Sequence, residues 1–288
     1  MNHASDAGEG VGDGEHVRAV RCWINGVAGE LIPVQDRGLQ YGDGLFETIL
    51  VRSGAARFID LHLRRLRRGC ERLQIHTVDV NVIAAELRQA AASLEAGILK
   101  LIVTRGVGRN RGYSGAECGL ATRILLTYPG LSPVAEAARV DFSAVVLGDS
   151  PHLAGLKHLN RLENVLARTA MPSNLDEVLL CDARDAIIGG SMSNLFLSTG
   201  SGWLTPRLQR CGVAGVMRQV VMREAATLGI AVQEVDVTRT ELGNANEMFL
   251  TNARLEVWPI WQCAARPLQI GSVTRALRAR IQALDGSR

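Results

Sequence analysis

Apolar residues in this chain follow two periods, and the two periods do not alternate regularly. The runs 45–52 (LFETILVR), 97–104 (GILKLIVT), 121–128 (ATRILLTY) and 139–147 (RVDFSAVVL) are short, rich in β-branched residues and bounded by Gly, Ser, Pro or small polar residues. Such runs read as strands. Shorter strand patterns fall at 55–59, 177–181, 186–188, 194–198, 231–235 and 247–251, and residues 17–34 read as a hairpin turning on Asn25-Gly26. Between 59 and 74 the period changes. Ile59, Leu63, Leu66, Cys70 and Leu73 recur at spacings of four and three, leaving one apolar helix face with arginines around the remainder. Helical patterns also cover 79–94, 159–170, 216–228 and 272–284, and residues 199–215 read as a Gly-punctuated loop. Strands in clusters, with helices interposed irregularly, predict an α+β chain rather than a doubly wound βαβ sheet.

With 288 residues and 47% apolar content, the chain is long enough for one large or two medium domains with a buried core. Leu131 to Ala137, containing Ser132 and Pro133, is the expected linker. It separates an N-terminal α+β domain at 17–130 from a C-terminal α+β domain at 138–288, and a polar, Gly-rich tail occupies 1–16. No stretch approaches the roughly 20 apolar residues of a membrane span, and the tail has no signal-peptide pattern. Six cysteines stand singly without metal-site spacing, as expected of reduced cytoplasmic thiols. The net charge of +3 comes from interspersed charges, which does not point to nucleic acid.

One compositional skew bears on chemistry. The 32 basic residues are 30 Arg and two Lys, Lys100 and Lys157. Where arginine supplies almost every generic cation, a lysine marks a place where an amine can be required, because only an amine condenses with an aldehyde or loses its proton near neutral pH. Lys157 follows a strand and a Pro-containing loop and precedes a helix pattern, a position that suits a cofactor as well as a plain surface lysine. Gly212-Val-Ala-Gly215 runs directly into the helix at 216, so the unpaired N–H groups of that helix offer a phosphate site. An ordinary glycine turn explains the same residues. Among Arg64, Arg65, Arg67 and Arg68, one or two are expected to face a site and the rest solvent. Arg111 and Tyr113 stand in a Gly-rich loop from which a guanidinium can clamp a carboxylate, or simply lie on the surface. His62 and His158 are candidate acids or structural histidines. The glycines at 106, 108 and 112 miss dinucleotide spacing, and P-loop, G-x-S-x-G and H-E-x-x-H motifs are missing from the sequence.

Taken together, several segments resemble the fold-type IV pyridoxal-phosphate enzymes. They are Asp36-Arg37-Gly38 through Gly42-Asp43-Gly44-Leu-Phe46-Glu47-Thr48, His62 to Leu66, Gly155-Leu-Lys157-His-Leu-Asn160-Arg161, Ser193-Asn194-Leu-Phe196 and Gly215-Val-Met-Arg218. Within that family, which includes D-amino-acid and branched-chain aminotransferases, Arg105 to Ser114 and Lys157 to Glu163 are most similar to aminodeoxychorismate lyases. The resemblance implies a two-domain α+β fold with pyridoxal 5'-phosphate between the domains, held covalently by Lys157. It implies that Arg65 and the backbone amides of Val216, Met217, Asn252 and Ala253 meet the phosphate, that Arg111 and Tyr113 meet a substrate carboxylate, and that a homodimer completes the site. It also exposes a departure: Gly189 stands where the family usually places a glutamate against the pyridine nitrogen, and no acid occurs between Asp185 and Glu224. A weaker electron sink is expected, which elimination assisted by aromatisation tolerates better than transamination does.

Overall fold

The computed structural model describes residues 21–109 and 111–285, so the tail at 1–16 and the start of the hairpin at 17–20 lie outside the described residues. Strands β1 (Arg21–Ile24) and β2 (Val27–Ala28) form the hairpin around Asn25-Gly26. The short helix α1 (Arg37–Tyr41) leads into β3 (Gly44–Arg52) and β4 (Ala55–Ala56). Helices α2 (Ile59–Leu73) and α3 (Val80–Ala92) follow, then β5 (Ala96–Thr104) and β6 (Thr122–Pro129). The strands make an antiparallel sheet in the order β2-β1-β6-β5-β3-β4. The apolar stripe read from the sequence is the buried face of α2: Ile59, Leu63, Leu66 and Cys70 pack on Leu45, Ile49, Leu99 and Leu101 of the sheet.

The second half begins with β7 (Ala138–Leu147), α4 (Leu162–Thr169), β8 (Glu177–Asp182) and β9 (Ile187–Gly190). It continues with β10 (Asn194–Thr199), β11 (Gly202–Pro206), α5 (Val216–Thr227), β12 (Val232–Val235) and α6 (Arg239–Gly243). The last elements are β13 (Glu247–Asn252), β14 (Glu256–Cys263), β15 (Arg266–Pro267) and α7 (Ser272–Ala283). This mixed sheet runs β12-β11-β10-β13-β14-β7-β8-β9, with β15 on β14.

Several boundaries differ from the sequence reading. The loop expected at 199–215 contains β11, which pairs antiparallel with β10 and parallel with β12. Strand β14 lies in a stretch to which the sequence reading gives no element, and it carries Pro259, which lacks an N–H and is unusual in a central strand. It is tolerated where the β7 pairing has not yet begun: Pro259 faces Phe249 of β13, and β7 joins from Ile260 onward. The return strand expected over 55–59 stops at Ala56, because Phe58 adopts a left-handed conformation (φ 53°) that turns the chain into α2. Helix α4 starts at Leu162 rather than 159, since the preceding residues pair with β3 through Leu159 N–H to Gly44 O (3.0 Å).

The two halves meet along α2 and α5. Phe58 and Leu61 from the first half are buried with Phe196, Val216, Met217 and Phe249 from the second. Buried Arg57 fastens the seam from beside them, donating to Glu256 Oε1 (2.6 Å) and the Ile281 carbonyl (2.9 Å). A charged pair in such surroundings fixes the docking geometry, since removing either partner strands a buried charge.

Candidate active site

A cavity of about 360 Å³ opens between the halves, lined from one side by Phe46, Thr48, His62 and Arg65 and from the other by the 188–194, 212–217 and 251–255 segments. Lys157 enters it from a strap that belongs to neither sheet. Phe46 N–H donates to Lys157 O (2.9 Å), tying the strap to β3, while Gly155 N–H to Gly212 O (2.9 Å) and Ala214 N–H to Gly155 O (3.0 Å) tie it to the turn before α5. Arg161 grips the carbonyls on either side of the lysine, His158 O through Nε (3.0 Å) and Leu156 O through Nη2 (3.1 Å). The Lys157 Nζ stands 4.1 Å from the centroid of the Phe46 ring. Burial lowers the pKa of this amine to about 7; the charges of Arg65, Arg161 and Lys100 act in the same sense and Glu47 opposes them.

Beside the amine, α5 starts at Val216 behind Gly215, which provides no side-chain cap. The first N–H groups of the helix therefore face the cavity with the positive end of its dipole. Gly215 lets Asn194 close on this turn, because a Cβ there would lie 2.2 Å from Asn194 Oδ1 and displace it. Asn194 in turn donates to Val213 O (2.9 Å), shaping the turn from β10.

Arg65 faces the same turn, donating through Nη1 to Ala214 O (3.1 Å) and through Nε to Glu47 Oε1 (2.9 Å), and its Nη2 also meets Glu47. Arg64, Arg67 and Arg68 are exposed. His62, one turn before Arg65 on α2, holds the other side of Glu47 at 2.6 Å through Nδ1. Burial alone would raise the Glu47 carboxyl, but the Arg65 charge and the His62 hydrogen bond outweigh it and hold the pKa at about 2. Burial also pushes the His62 imidazole below its ordinary value, so it stays neutral at pH 7 despite its carboxylate partner. His158 lies outside the cavity lining, with its Nδ1 lacking a partner and its pKa lowered by burial to about 4.

The turn after β13 closes another wall. Asn252 Oδ1 accepts from the backbone of Arg254 (3.0 Å) and Leu255 (2.8 Å), which turns the chain so that Asn252, Ala253 and Arg254 line the cavity. At the wall formed by β9, Gly189 has φ 153°, and a Cβ would lie 2.7 Å from Ser193 O, leaving no room for any side chain. A carboxylate is nevertheless close behind: fully buried Glu177 on the adjacent strand accepts from Ser191 N–H (3.1 Å), Met192 N–H (3.3 Å) and Ser193 Oγ (3.1 Å). Glu177 does not line the cavity, nor does any other Asp or Glu among the described residues.

Two of the expected site residues are placed elsewhere. Arg111 is exposed, Tyr113 is 87% exposed, and neither lines the cavity of its own chain. Their loop is pinned from inside by Arg37, which donates to Gly112 O (3.0 Å) and Tyr113 O (2.9 Å) while paired with Asp43. The described residues contain no group of three or more His, Cys, Asp or Glu able to hold a metal ion.

The sequence pattern of the amino-transferase class IV family matches residues 44–263. The chain belongs to the class IV aminotransferase family. Members of this family have the fold-type IV architecture and use pyridoxal phosphate. An aminodeoxychorismate lyase of Vibrio harveyi is 32% identical over 268 residues, covering 90% of this chain and 98% of the relative. A D-alanine aminotransferase of Bacillus licheniformis is 30% identical over 239 residues, covering 80% and 82%. The crystal structure of 4-amino-4-deoxychorismate lyase from Pseudomonas aeruginosa superposes with a TM-score of 0.86 at 39% identity, covering 91% of this chain and 98% of that one.

The cavity of this class IV protein fits the family's cofactor on its own chemistry. An amine that is neutral near pH 7 suits an aldehyde, and an uncapped helix start beside an arginine suits a phosphate monoester. Sequence reasoning did not assign roles to Glu47, Arg161, Glu177 or Arg254. Glu47 and Arg161 lie inside the motif segments, but the sequence does not show which neighbour each side chain reaches. Glu177 acts from a neighbouring strand, and Arg254 reaches Ser132 from the turn between β13 and β14, contacts between segments far apart in the sequence.

Proposed function

We propose that this chain is a pyridoxal-phosphate-dependent 4-amino-4-deoxychorismate lyase, a cytoplasmic homodimer forming 4-aminobenzoate and pyruvate for folate synthesis. Its support is the likeness to the lyases of Vibrio harveyi and Pseudomonas aeruginosa over nearly their whole length. The observation that carries it is the Lys157 amine, depressed to a pKa of about 7 within a cavity that ends at a bare helix start. Lys157 is the residue that holds the cofactor covalently. Arg65 and the amides of Val216 and Met217 hold its phosphate, with those of Asn252 and Ala253 closing the other side. The bound cofactor supplies an electron sink for the carbon next to the substrate nitrogen.

The chain's own part is proton transfer and positioning. Lys157 Nζ takes the proton from the ring carbon that bears the amine. The neighbouring carbon–oxygen ether bond breaks, the ring becomes aromatic and enolpyruvate departs. Lys157 returns the proton to the enol methylene, giving pyruvate, so the reaction consumes and releases no net proton. Arg161 fixes the strap on both sides of the lysine, which keeps Nζ aimed through both transfers. Arg111 and Tyr113 reach a substrate carboxylate from the partner subunit, since their loop stands away from the cavity of their own chain.

An aminotransferase on the same scaffold is the second reading, favoured by the D-alanine aminotransferase likeness. Gly189 weighs against it, because its backbone admits no side chain that could reach a pyridine nitrogen. Turnover of 4-amino-4-deoxychorismate, followed by coupled pyruvate formation and by 4-aminobenzoate fluorescence, tests the choice. Equal amounts of both products from the wild type and none from Lys157→Ala are expected. Amino transfer from D-alanine or branched-chain amino acids without either product would replace the lyase reading by the aminotransferase one.

A further inference from the structure

The cavity carries more positive charge than the protein neutralises. Arg65 has Glu47 as its counter-ion, but Arg254 makes no ion pair among the described residues. Its side chain gives one hydrogen bond, from Nη2 to the Ser132 carbonyl (2.5 Å), on an exposed stretch of the connection between the halves. Arg254 thus lines the cavity while its guanidinium reaches the exposed connection between the halves, which places it at the rim. A guanidinium has five N–H donors in a planar fork, so most of them have no protein acceptor here. The position is fixed rather than floppy. Arg254 N–H is bonded to Asn252 Oδ1, and the same turn ends on buried Glu256, which Arg52 and Arg57 hold at 3.1 Å and 2.6 Å.

We infer that Arg254 forms a carboxylate subsite at the cavity rim, binding the acid group of the substrate that lies farthest from the amine handled by Lys157. The identity of that acid rests on the lyase reading: it is the ring carboxylate para to the amine, the one the aromatic product keeps. An α-amino acid carries its carboxylate on the carbon that bears the nitrogen, beside Lys157, and does not span to the rim. Arg254 thus selects an aminated ring acid over simple amino acids. Its planar fork matches a carboxylate through two parallel hydrogen bonds, where a lysine would offer a point charge.

The test is equilibrium binding of 4-aminobenzoate and of 4-aminobenzamide to the cofactor-loaded protein, comparing wild type with Arg254→Leu and Arg254→Gln. A charge-assisted hydrogen-bonded pair is worth about 1.5–3 kcal/mol, or roughly 10- to 100-fold in affinity. The wild type should prefer the acid over the amide by at least about tenfold, and both variants should lose that preference through weaker acid binding alone. The Gln variant keeps a polar side chain on the same stem while Leu is apolar, and thermal unfolding of both guards against a folding defect. Lack of an acid preference in the wild type, or its survival in both variants, overturns the subsite. So does a loss of pyridoxal-phosphate affinity with the acid preference intact, which would assign Arg254 to the phosphate. Wild-type turnover of 4-amino-4-deoxychorismate is scored separately. Its failure with the preference intact sinks the lyase reading only, and its success with the preference unmoved in the variants sinks the subsite only.

Discussion

Replacing Glu47 by glutamine isolates one electrostatic contact while keeping the side-chain shape. Glu47 is buried between Arg65 and His62, and its pKa falls from an ordinary 4.5 to about 2 in the folded protein. At about 1.4 kcal/mol for each pKa unit, the ionised carboxylate stabilises the fold by about 3 kcal/mol at pH 7. That matches the 3–5 kcal/mol typical of stranding one member of a buried pair. Because the folded pKa is depressed, the contribution is complete above pH 4.5 and disappears as the pH falls towards 2. Urea unfolding of cofactor-free wild type and Glu47→Gln should therefore show a gap of about 3 kcal/mol, flat from pH 7 to 5.5 and narrowing below 4.5. A gap under about 0.5 kcal/mol at pH 7, or one that widens on acidification, refutes the reasoning. The same variant removes a charge that raises the Lys157 pKa, so its amine should titrate lower than in the wild type.

In the cofactor-free protein the Lys157 amine should be half neutral near pH 7, so pyridoxal-phosphate incorporation followed by absorbance should rise through pH 7 and level off above it. A midpoint near 10 would show an amine that burial does not perturb. Gly189→Ala forces a Cβ to 2.7 Å from Ser193 O at a φ that side chains rarely adopt, at a cost of about 1–3 kcal/mol read by thermal unfolding; an unchanged melting temperature would mean the β9 wall is slack. If a partner subunit brings Arg111 to the substrate, gel filtration gives a dimer and Arg111→Ala raises KM for 4-amino-4-deoxychorismate without changing cofactor incorporation. Equal KM values for variant and wild type would remove Arg111 from the site.

Periodicity made the helices legible, and α2 shows why. Its buried residues recur at spacings that only a helix puts on one face, and their packing on β3 and β5 needs no distant information. Strand β14 was illegible for the opposite reason, because Pro259 is acceptable only through the register at which β7 joins the sheet. The same division runs through the site. The strap lysine and the glycine turn into α5 stand out as sequence features. The partner of Glu47 is set by the docking of α2 on β3, and the absence of a counter-ion for Arg254 among the described residues is a property of the folded neighbourhood rather than of the local sequence. Glu177 lies before the acid-free stretch between Asp185 and Glu224, and only the strand pairing brings its carboxylate behind the 190–193 turn, which it braces.

The charge balance of the cavity connects its composition to its chemistry. Among the described residues Arg161 and Arg254 line it without an ion-paired carboxylate, and burial lowers the Arg161 pKa only to about 10, so that side chain keeps its charge. Among the cations of such a cavity, only a lysine can relieve the repulsion by giving up its proton at neutral pH. Burial, reinforced by the arginine charges, therefore leaves part of the Lys157 amine unprotonated near pH 7, free to act as nucleophile or proton acceptor without a dedicated base beside it. The charge that remains favours ligands bringing two kinds of anion, a phosphate for the helix start and a carboxylate for the rim. Each adds to stability by RT ln(1 + L/Kd), where L is its free concentration. The melting temperature of the cofactor-free protein should accordingly rise with inorganic phosphate and 4-aminobenzoate in additive steps, and the second step should be missing in Arg254→Gln.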